Sequence, residues 1–280
     1  MSGDLDEAGG VLDGECEIPA AVAWQRASGG DWTSYAADVS RRNNTRFGES
    51  MPYQRTSSDQ RAQADAPAGI RLVAFDLDGT LTRGQTCMEA LADAFGFAAQ
   101  MSVWEQSRTE QELIAARLGM WEHLKHLSID DMDAVLADIP LAPGAIEGIT
   151  ALHTAGIATI IASLTHAPNV AYFAGRLGVN AHFGTEPDGH GGYRHVFPAT
   201  KPTLLAEYAN ALDVSPEQIA AVGDTPNDVP MLRAARISIY VGATLPEDFT
   251  PTWHLPAASI DEIARIILKP DERKAPSSTR

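Results

Sequence analysis

The chain has few cysteines, little positive charge and no long apolar run, and each shortage removes a class of protein. Cys16 and Cys87 are the only cysteines in 280 residues, too few for a disulfide framework or a cysteine-based zinc site. Cys87 follows the most informative strand and reads as a small buried apolar residue, the alternative being that it lines a site at the end of that strand. Lys and Arg total 21 against 37 Asp and Glu, a formal charge of −16. That balance argues against a nucleic-acid partner, because phosphate backbones are bound by Lys and Arg. It does not exclude a small anionic substrate, since one or two side chains can build a local positive site. No apolar run approaches the ~20 residues that span a bilayer, and Met1-Ser2-Gly3-Asp4 opens an acidic start without the apolar stretch of a signal peptide. A cytoplasmic protein without membrane contact is the expectation.

What is present divides unevenly. Residues 1–69 are rich in Gly, Ser, Asp, Arg and Gln, show no sustained hydrophobic period, and carry 11 acidic against 6 basic side chains. This composition predicts a disordered leader; the alternative is a protein-binding segment using Trp24, Trp32, Tyr35, Phe47 and Tyr53. From Ile70 the pattern changes. Leu72-Val73-Ala74-Phe75 ends in Asp76-Leu77-Asp78-Gly79-Thr80, an apolar run bounded by a glycine turn, which predicts a buried strand. Met88, Leu91, Ala92 and Phe95 repeat at helical spacing before Gly96. Leu113, Met120, Trp121 and Leu124 predict a second helix, and Ser128 with Asp131 starts a third. With no strand among them, these helices predict a unit of their own over 84–142.

Further strands are predicted at 157–163, 219–222 and 237–241, with helices opened by Pro143, Pro168, Lys201 and Pro226 and a last one from Ser259 to Leu268. Asp188-Gly189-His190-Gly191-Gly192 is a hairpin-turn signal. Alternation of strands and helices predicts an α/β fold, a doubly wound Rossmann-like parallel sheet over 70–83 and 143–268 with a small helical cap inserted after its first strand, and a loose tail at 269–280. Ligands in such sheets gather at the carboxyl ends of the strands. Asp76, Ser163 and Asp224 each fall at such an end. Carboxylates brought together there repel one another unless a cation sits among them, and an oxygen-rich site suits Mg²⁺.

Asp76-x-Asp78-Gly79-Thr80, then Ser163, then Lys201 at a helix start, then Gly223-Asp224-Thr225-Pro226-Asn227-Asp228 form an ordered set. The set resembles the haloacid dehalogenase-like hydrolases over 70 to about 268, and the length of the helical insertion is similar to that of their phosphoserine-phosphatase-like group. The resemblance implies a Mg²⁺-dependent phosphatase acting on a small phosphorylated metabolite. Asp76 would be the nucleophile that becomes an aspartyl-phosphate, and Asp78 the general acid and base. Asp76, the backbone carbonyl of Asp78 and Asp224 would hold the metal. Ser163 and Lys201 would bind the phosphoryl oxygens, and Asp228 would orient Lys201 or a metal-bound water. Alone, Asp228 could instead cap the helix that Pro226 opens.

The match to phosphoserine phosphatases departs at three points. Gln85 stands where those enzymes place a glutamate for the substrate ammonium. Met120 stands where they place a carboxylate-gripping arginine, with Arg117 one turn earlier, and Leu164-Thr165 replaces a Gly-Gly. Gln85, Arg117 and Thr165 are therefore candidate substrate contacts, and a substrate other than phosphoserine is expected. Phosphoserine hydrolysis, phosphotransfer to an alcohol and a catalytically silent binding module are the alternatives. His123 and His126 fall on the cap and His166 beside Ser163, while His182, His190 and His195 flank the hairpin.

Overall fold

The computed structural model describes residues 69–107, 109–187 and 192–269. The predicted leader and tail, apart from one residue of each, lie outside them, as do Cys16, the leader aromatics and His190. Strands are β1 (Leu72–Phe75), β2 (Ala158–His166), β3 (Ala181–Pro187), β4 (Tyr193–Arg194), β5 (Ile219–Gly223), β6 (Ile237–Tyr240) and β7 (Trp253–His254). Helices are α1 (Cys87–Phe95), α2 (Ala98–Trp104), α3 (Glu110–Leu124), α4 (Ile129–Ala137), α5 (Ala145–Thr154), α6 (Ala167–Leu177), α7 (Lys201–Ala211), α8 (Val229–Arg233) and α9 (Ile260–Leu268).

All four residues of β1 are buried, and a strand apolar on both sides needs cover on both sides, the condition of a parallel sheet. β1 accordingly lies inside a sheet of order β4-β3-β2-β1-β5-β6-β7. It pairs in parallel with β2 and β5, and Phe75 stands opposite both Ile161 and Val222. Successive side chains point to opposite faces. Val73, Phe75, Ile161 and Val222 therefore join one apolar cluster, and Leu72, Ala74, Ile160 and Ala221 the other. The chain runs outward from β1 to β2 and β3, then returns to β5 on the other flank. That reversal opens a crevice beyond the carboxyl ends of β1 and β5.

The predicted hairpin forms, with Glu186 opposite Arg194 and Pro187 opposite Tyr193. The second strand does not stop at Ser163. It continues to His166, with its register against β3 broken between Ala162 and His166 and resumed at Thr185, so Ser163 sits at an irregularity within the strand. The sequence reading missed α2, whose segment buries only Met101, and the two-residue β7.

Four helices, α1 to α4, are inserted between β1 and α5. Thr86 and Glu89 form a capping box on α1, Thr109 and Glu112 one on α3, and the Ser128 hydroxyl accepts from the Asp131 N–H at the start of α4. The chain leaves and re-enters through two paired segments: the Ala142 N–H donates to the Leu81 carbonyl (2.8 Å) and the Arg83 N–H to the Pro140 carbonyl (2.9 Å). Leu91, Phe97, Trp121, Leu124 and Leu136 from these helices belong to the same buried cluster as Phe75 and Val222, so the insertion shares one apolar core with that face of the sheet, and α4 rests against α6.

Helices α5 and α9 close that face lower down, and Gly148 lets them approach. A Cβ there would lie 2.6 Å from the Ile260 backbone. Alanine favours a helix over glycine by about 1 kcal/mol, but forced overpacking costs about 1–3 kcal/mol. Gly148→Ala is expected to destabilise the protein by about 1 kcal/mol on balance, read as a lower midpoint of denaturant unfolding; a raised midpoint would mean that the two helices are not in this contact.

Candidate active site

Asp76 is the first residue past β1, and its N–H still donates to the Val222 carbonyl of β5 (3.0 Å). Its side chain is thereby fixed at the crevice mouth, where Oδ1 accepts from Lys201 Nζ (2.7 Å). Lys201 is the first residue of α7 and is fully buried. An ammonium at a helix N-terminus opposes the helix dipole, and burial adds to the cost. Two carboxylates offset both, because the same Nζ also donates to Asp228 Oδ1 (2.6 Å). Asp228 is occupied on its other oxygen as well: Oδ2 accepts from the N–H groups of Asp224 (3.1 Å) and Thr225 (3.0 Å) and from the Thr225 hydroxyl (3.1 Å).

Asp224 extends from the end of β5, and its Oδ1 accepts from the Thr80 hydroxyl (3.0 Å). Gly79 makes that approach possible. Its φ is +86°, and a Cβ there would lie 2.1 Å from Asp224 Oδ2, so both backbone conformation and space demand glycine. Arg83 holds the same turn, its Nη1 donating to the carbonyls of Gly79 (2.5 Å), Thr80 (2.6 Å) and Thr82 (2.9 Å).

One oxygen from each of Asp76, Asp224 and Asp228 lies within 4.8 Å of the others. Three carboxylates against one ammonium leave two negative charges in a largely buried site. The electrostatics register that excess. Burial, then the charge of Asp228, raise the Asp76 pKa well above the carboxyl range despite Lys201. Burial and Asp228 lift Asp224 to about 6, against the Thr80 hydrogen bond. Burial works to lower the Lys201 pKa, but Asp76 and Asp228 outweigh it and hold the ammonium above the usual lysine range. All-oxygen donors with two uncompensated charges are what a divalent hard cation would neutralise, so the residues present fit a metal site.

Residues 70–236 match the haloacid dehalogenase-like hydrolase family. The chain belongs to that family. It is 28% identical over 187 residues to a phosphoserine phosphatase of Archaeoglobus fulgidus, which covers 62% of this chain and 53% of that protein. It is also 28% identical over 195 residues to a phosphoserine phosphatase of Polaromonas, covering 61% of this chain and 78% of the relative. The chain thus spans about half the length of the archaeal protein and more of the bacterial one. In fold it is similar to a crystal structure of a HAD family hydrolase from Salmonella enterica serovar Typhi, with a TM-score of 0.63 at 20% identity over 78% of this chain and 82% of that one. No helix among the described residues is long and apolar enough to cross a membrane.

The other predicted residues are distributed unevenly. Asp78 is turned from the three-carboxylate group toward the insertion, where its Oδ1 accepts from the Cys87 N–H (2.8 Å) at the first turn of α1. Burial raises its pKa, against hydrogen bonds from the Cys87 thiol and backbone. Cys87 is buried, as expected of a small apolar residue, and it also touches a candidate catalytic carboxyl, the alternative that its place soon after the aspartate strand had offered. Ser163 is buried, its Oγ 3.4 Å from the Thr165 N–H. The Thr165 hydroxyl accepts from Asn169 (3.2 Å). Gln85 is exposed and bonds Asp93 (2.5 Å), so it is not brought into the group. Arg117 is buried against Val196 and Phe197, in the hairpin exit that leads into Lys201. His123 stacks on Phe97 within the insertion. Thr225 was discoverable, since Thr225-x-x-Asp228 is a capping-box spacing. Arg83 was not: its role depends on the path of the turn it clamps.

Breaking the buried ion group has a signed pH signature. With metal chelated at pH 7, Lys201→Met is expected to cost about 3–5 kcal/mol of unfolding free energy by leaving buried carboxylates uncompensated. The cost should shrink in acid, as Asp76 takes up a proton above the usual range. The folded wild type binds the Asp224 proton more tightly than the unfolded chain does. Its carboxyl therefore favours folding at low pH and loses that contribution as pH rises from 3.8 to about 6. Chemical denaturation of both proteins across pH 4–8 checks this, and a pH-independent difference between them would contradict it.

Proposed function

We propose that the protein is a Mg²⁺-dependent phosphatase that hydrolyses a small phosphorylated metabolite through an aspartyl-phosphate on Asp76. The observation that carries this reading is the Asp76 carboxylate at the crevice mouth, one oxygen tied to Lys201 and the group around it short of two positive charges. Asp76, Asp224 and the Asp78 backbone carbonyl would hold the metal, with Asp228 fixing both Lys201 and the Asp224 backbone. Mg²⁺, when bound, supplies the charge neutralisation that lets a carboxylate approach a phosphate dianion.

The chain's own groups perform the rest. The free Asp76 oxygen forms a bond to phosphorus as the bond from phosphorus to the substrate alcohol breaks. Asp78 gives its proton to the departing alcohol oxygen. Its raised pKa suits the acid role, because the carboxyl keeps its proton to higher pH than an ordinary aspartate. A water then attacks the same phosphorus, giving a proton to Asp78, and the bond to Asp76 breaks. Inorganic phosphate leaves and both carboxyls regain their starting states. Ser163 donates a hydrogen bond to a phosphoryl oxygen, and Lys201 balances charge in the transition state. Because Asp78 accepts from the first turn of α1, the position of the inserted helices sets the position of the acid.

The relatives' name raises phosphoserine as a substrate. The neutral Gln85, committed to Asp93, and Met120 in the buried cluster weigh against an ammonium-and-carboxylate clamp of that kind.

Turnover of p-nitrophenyl phosphate with Mg²⁺ tests the reading. Asp76→Asn should fall to the uncatalysed background, and Asp78→Asn should lose about 10²–10⁴ in kcat with a natural alcohol leaving group. Mg²⁺ at about a hundredfold excess over Kd should raise the melting temperature by about 5–10 °C at pH 7.5 and by less at pH 5, where Asp76 and Asp224 compete for protons. Equal turnover by wild type and Asp76→Asn would remove the proposed nucleophile, and absence of turnover in both would leave a silent binding module.

A further inference from the structure

Three buried nitrogens without hydrogen-bond partners among the described residues gather at one place outside the carboxylate group: Arg117 Nη1, His166 Nδ1 and His195 Nδ1. Arg117 comes from α3 in the insertion, His166 from the end of β2, and His195 from the strand exit after β4. Direct contacts join them. His166 Nε2 meets the Arg117 carbonyl (3.2 Å), Arg117 Nη2 donates to the Val196 carbonyl (2.6 Å), and the Arg117 guanidinium lies 5.0 Å from the Phe197 ring centroid. The Trp121 ring stacks on His166 and the Phe197 ring lies beside His195.

This is an expensive arrangement for packing alone. Arg117 is 4% exposed, and no carboxylate among the described residues forms an ion pair with it. A buried cation without a counter-charge is strongly disfavoured, and one carbonyl with one aromatic face is partial compensation. Burial of Arg117 lowers its pKa to about 10, which leaves it charged at neutral pH. The imidazoles have the opposite character. Burial lowers both to about 4, so both are neutral. A carbonyl can only accept, so His166 Nε2 carries the ring proton and its Nδ1 is a bare acceptor. The cluster therefore presents a charged donor beside a neutral acceptor.

The cluster is also joined to the phosphate-binding side chains by the chain itself. His166 is three residues past Ser163, a span of at most about 10 Å. The Lys201 N–H donates to the Phe197 carbonyl (3.2 Å), so the wall that carries His195 runs directly into the lysine bonded to Asp76. Thr185 ties the two walls together, bonding both Leu164 and Val196.

We propose that Arg117, His166 and His195 form the subsite for the alcohol half of the substrate, and that this half is a hydroxy acid: its carboxylate faces Arg117 and its hydroxyl donates to His166 Nδ1. The assignment rests on the phosphatase reading above and names the substrate class for it, a phosphorylated hydroxy acid. An ammonium in place of the hydroxyl would sit beside the guanidinium and be repelled by it. Arg117 belongs to the inserted helices and the two histidines to the core, so the subsite is complete only when those parts meet.

Three probes separate the contributions: 3-phosphoglycerate, 3-phosphonooxypropanoate, which lacks the hydroxyl, and glycerol 3-phosphate, which lacks the carboxylate. The wild type should favour 3-phosphoglycerate over each of the others by about tenfold or more in kcat/KM, the scale of one hydrogen bond to a charged group or one buried acceptor left unpaired. Arg117→Gln should collapse the ratio to glycerol 3-phosphate, and His166→Phe the ratio to 3-phosphonooxypropanoate. If Arg117→Gln does not fold, His195→Asn, on a half-buried residue, should lower the same ratios. Equal kcat/KM for the three probes in the wild type, or ratios that survive the substitutions, would overturn the subsite and leave Arg117 as a purely structural pin of the hairpin. If neither the probes nor p-nitrophenyl phosphate are turned over, the phosphatase reading fails separately. The subsite is then judged by melting temperature: a larger rise with 3-phosphoglycerate than with glycerol 3-phosphate supports it, and equal rises overturn it.

Discussion

One ammonium serves two buried carboxylates, and much of the candidate site is arranged around that fact. Lys201 Nζ bonds Asp76 at 2.7 Å and Asp228 at 2.6 Å, entirely out of solvent. The pair of contacts draws together the end of β1, the turn that leads from β5 into α8 and the start of α7, three segments far apart in sequence. It also leaves the neighbourhood deficient in positive charge, because Asp224 is held within 4.8 Å of both carboxylates. A group tuned only for stability would not keep that deficit, since buried charge is worth retaining chiefly when something else completes it. The charge count that sets these carboxylates against one another is the one a divalent cation would neutralise.

The second organising contact is Asp78 with the first turn of α1. The core strand supplies the carboxyl and the insertion supplies the donor that fixes it. In the proposed mechanism the position of the acid therefore depends on one hydrogen bond from the insertion rather than on a long relay. The Arg117 cluster has the same construction, one wall from the insertion and two from the core. Both depend on the apolar core that α1 to α4 share with the face carrying Phe75 and Val222.

Much of this was legible beforehand, and the reason is local. Strand β1 is buried on both sides, so its apolar run needed no partner to be recognised, and Asp76 followed at its end. Caps at Thr86, Thr109 and Ser128 are set by residues three apart. The helix α2 was not legible, because a segment that buries one methionine has no hydrophobic period to detect. The end of β2 was not either: Ser163 lies at a register break that exists only because β3 pairs again at Thr185. Gln85 and Arg117 occupied neighbouring places in the sequence argument, yet one is exposed and bonded to Asp93 while the other is buried against the hairpin. No spacing rule separates them, since which way a cap residue faces depends on what the cap packs against.

The amino-acid order by itself determined the alternation of strands and helices, the carboxylates and lysine that meet at the crevice, and the family to which the chain belongs. These follow from short-range patterns of hydrophobicity, turn residues and charged side chains at strand and helix ends. Only the tertiary structure decided that Asp78 faces α1, that Arg83 clamps the turn beneath Asp224, and that Arg117 lies with His166 and His195 rather than with a carboxylate. Each of those depends on contacts between segments tens of residues apart, whose distances are set by packing and not by sequence separation.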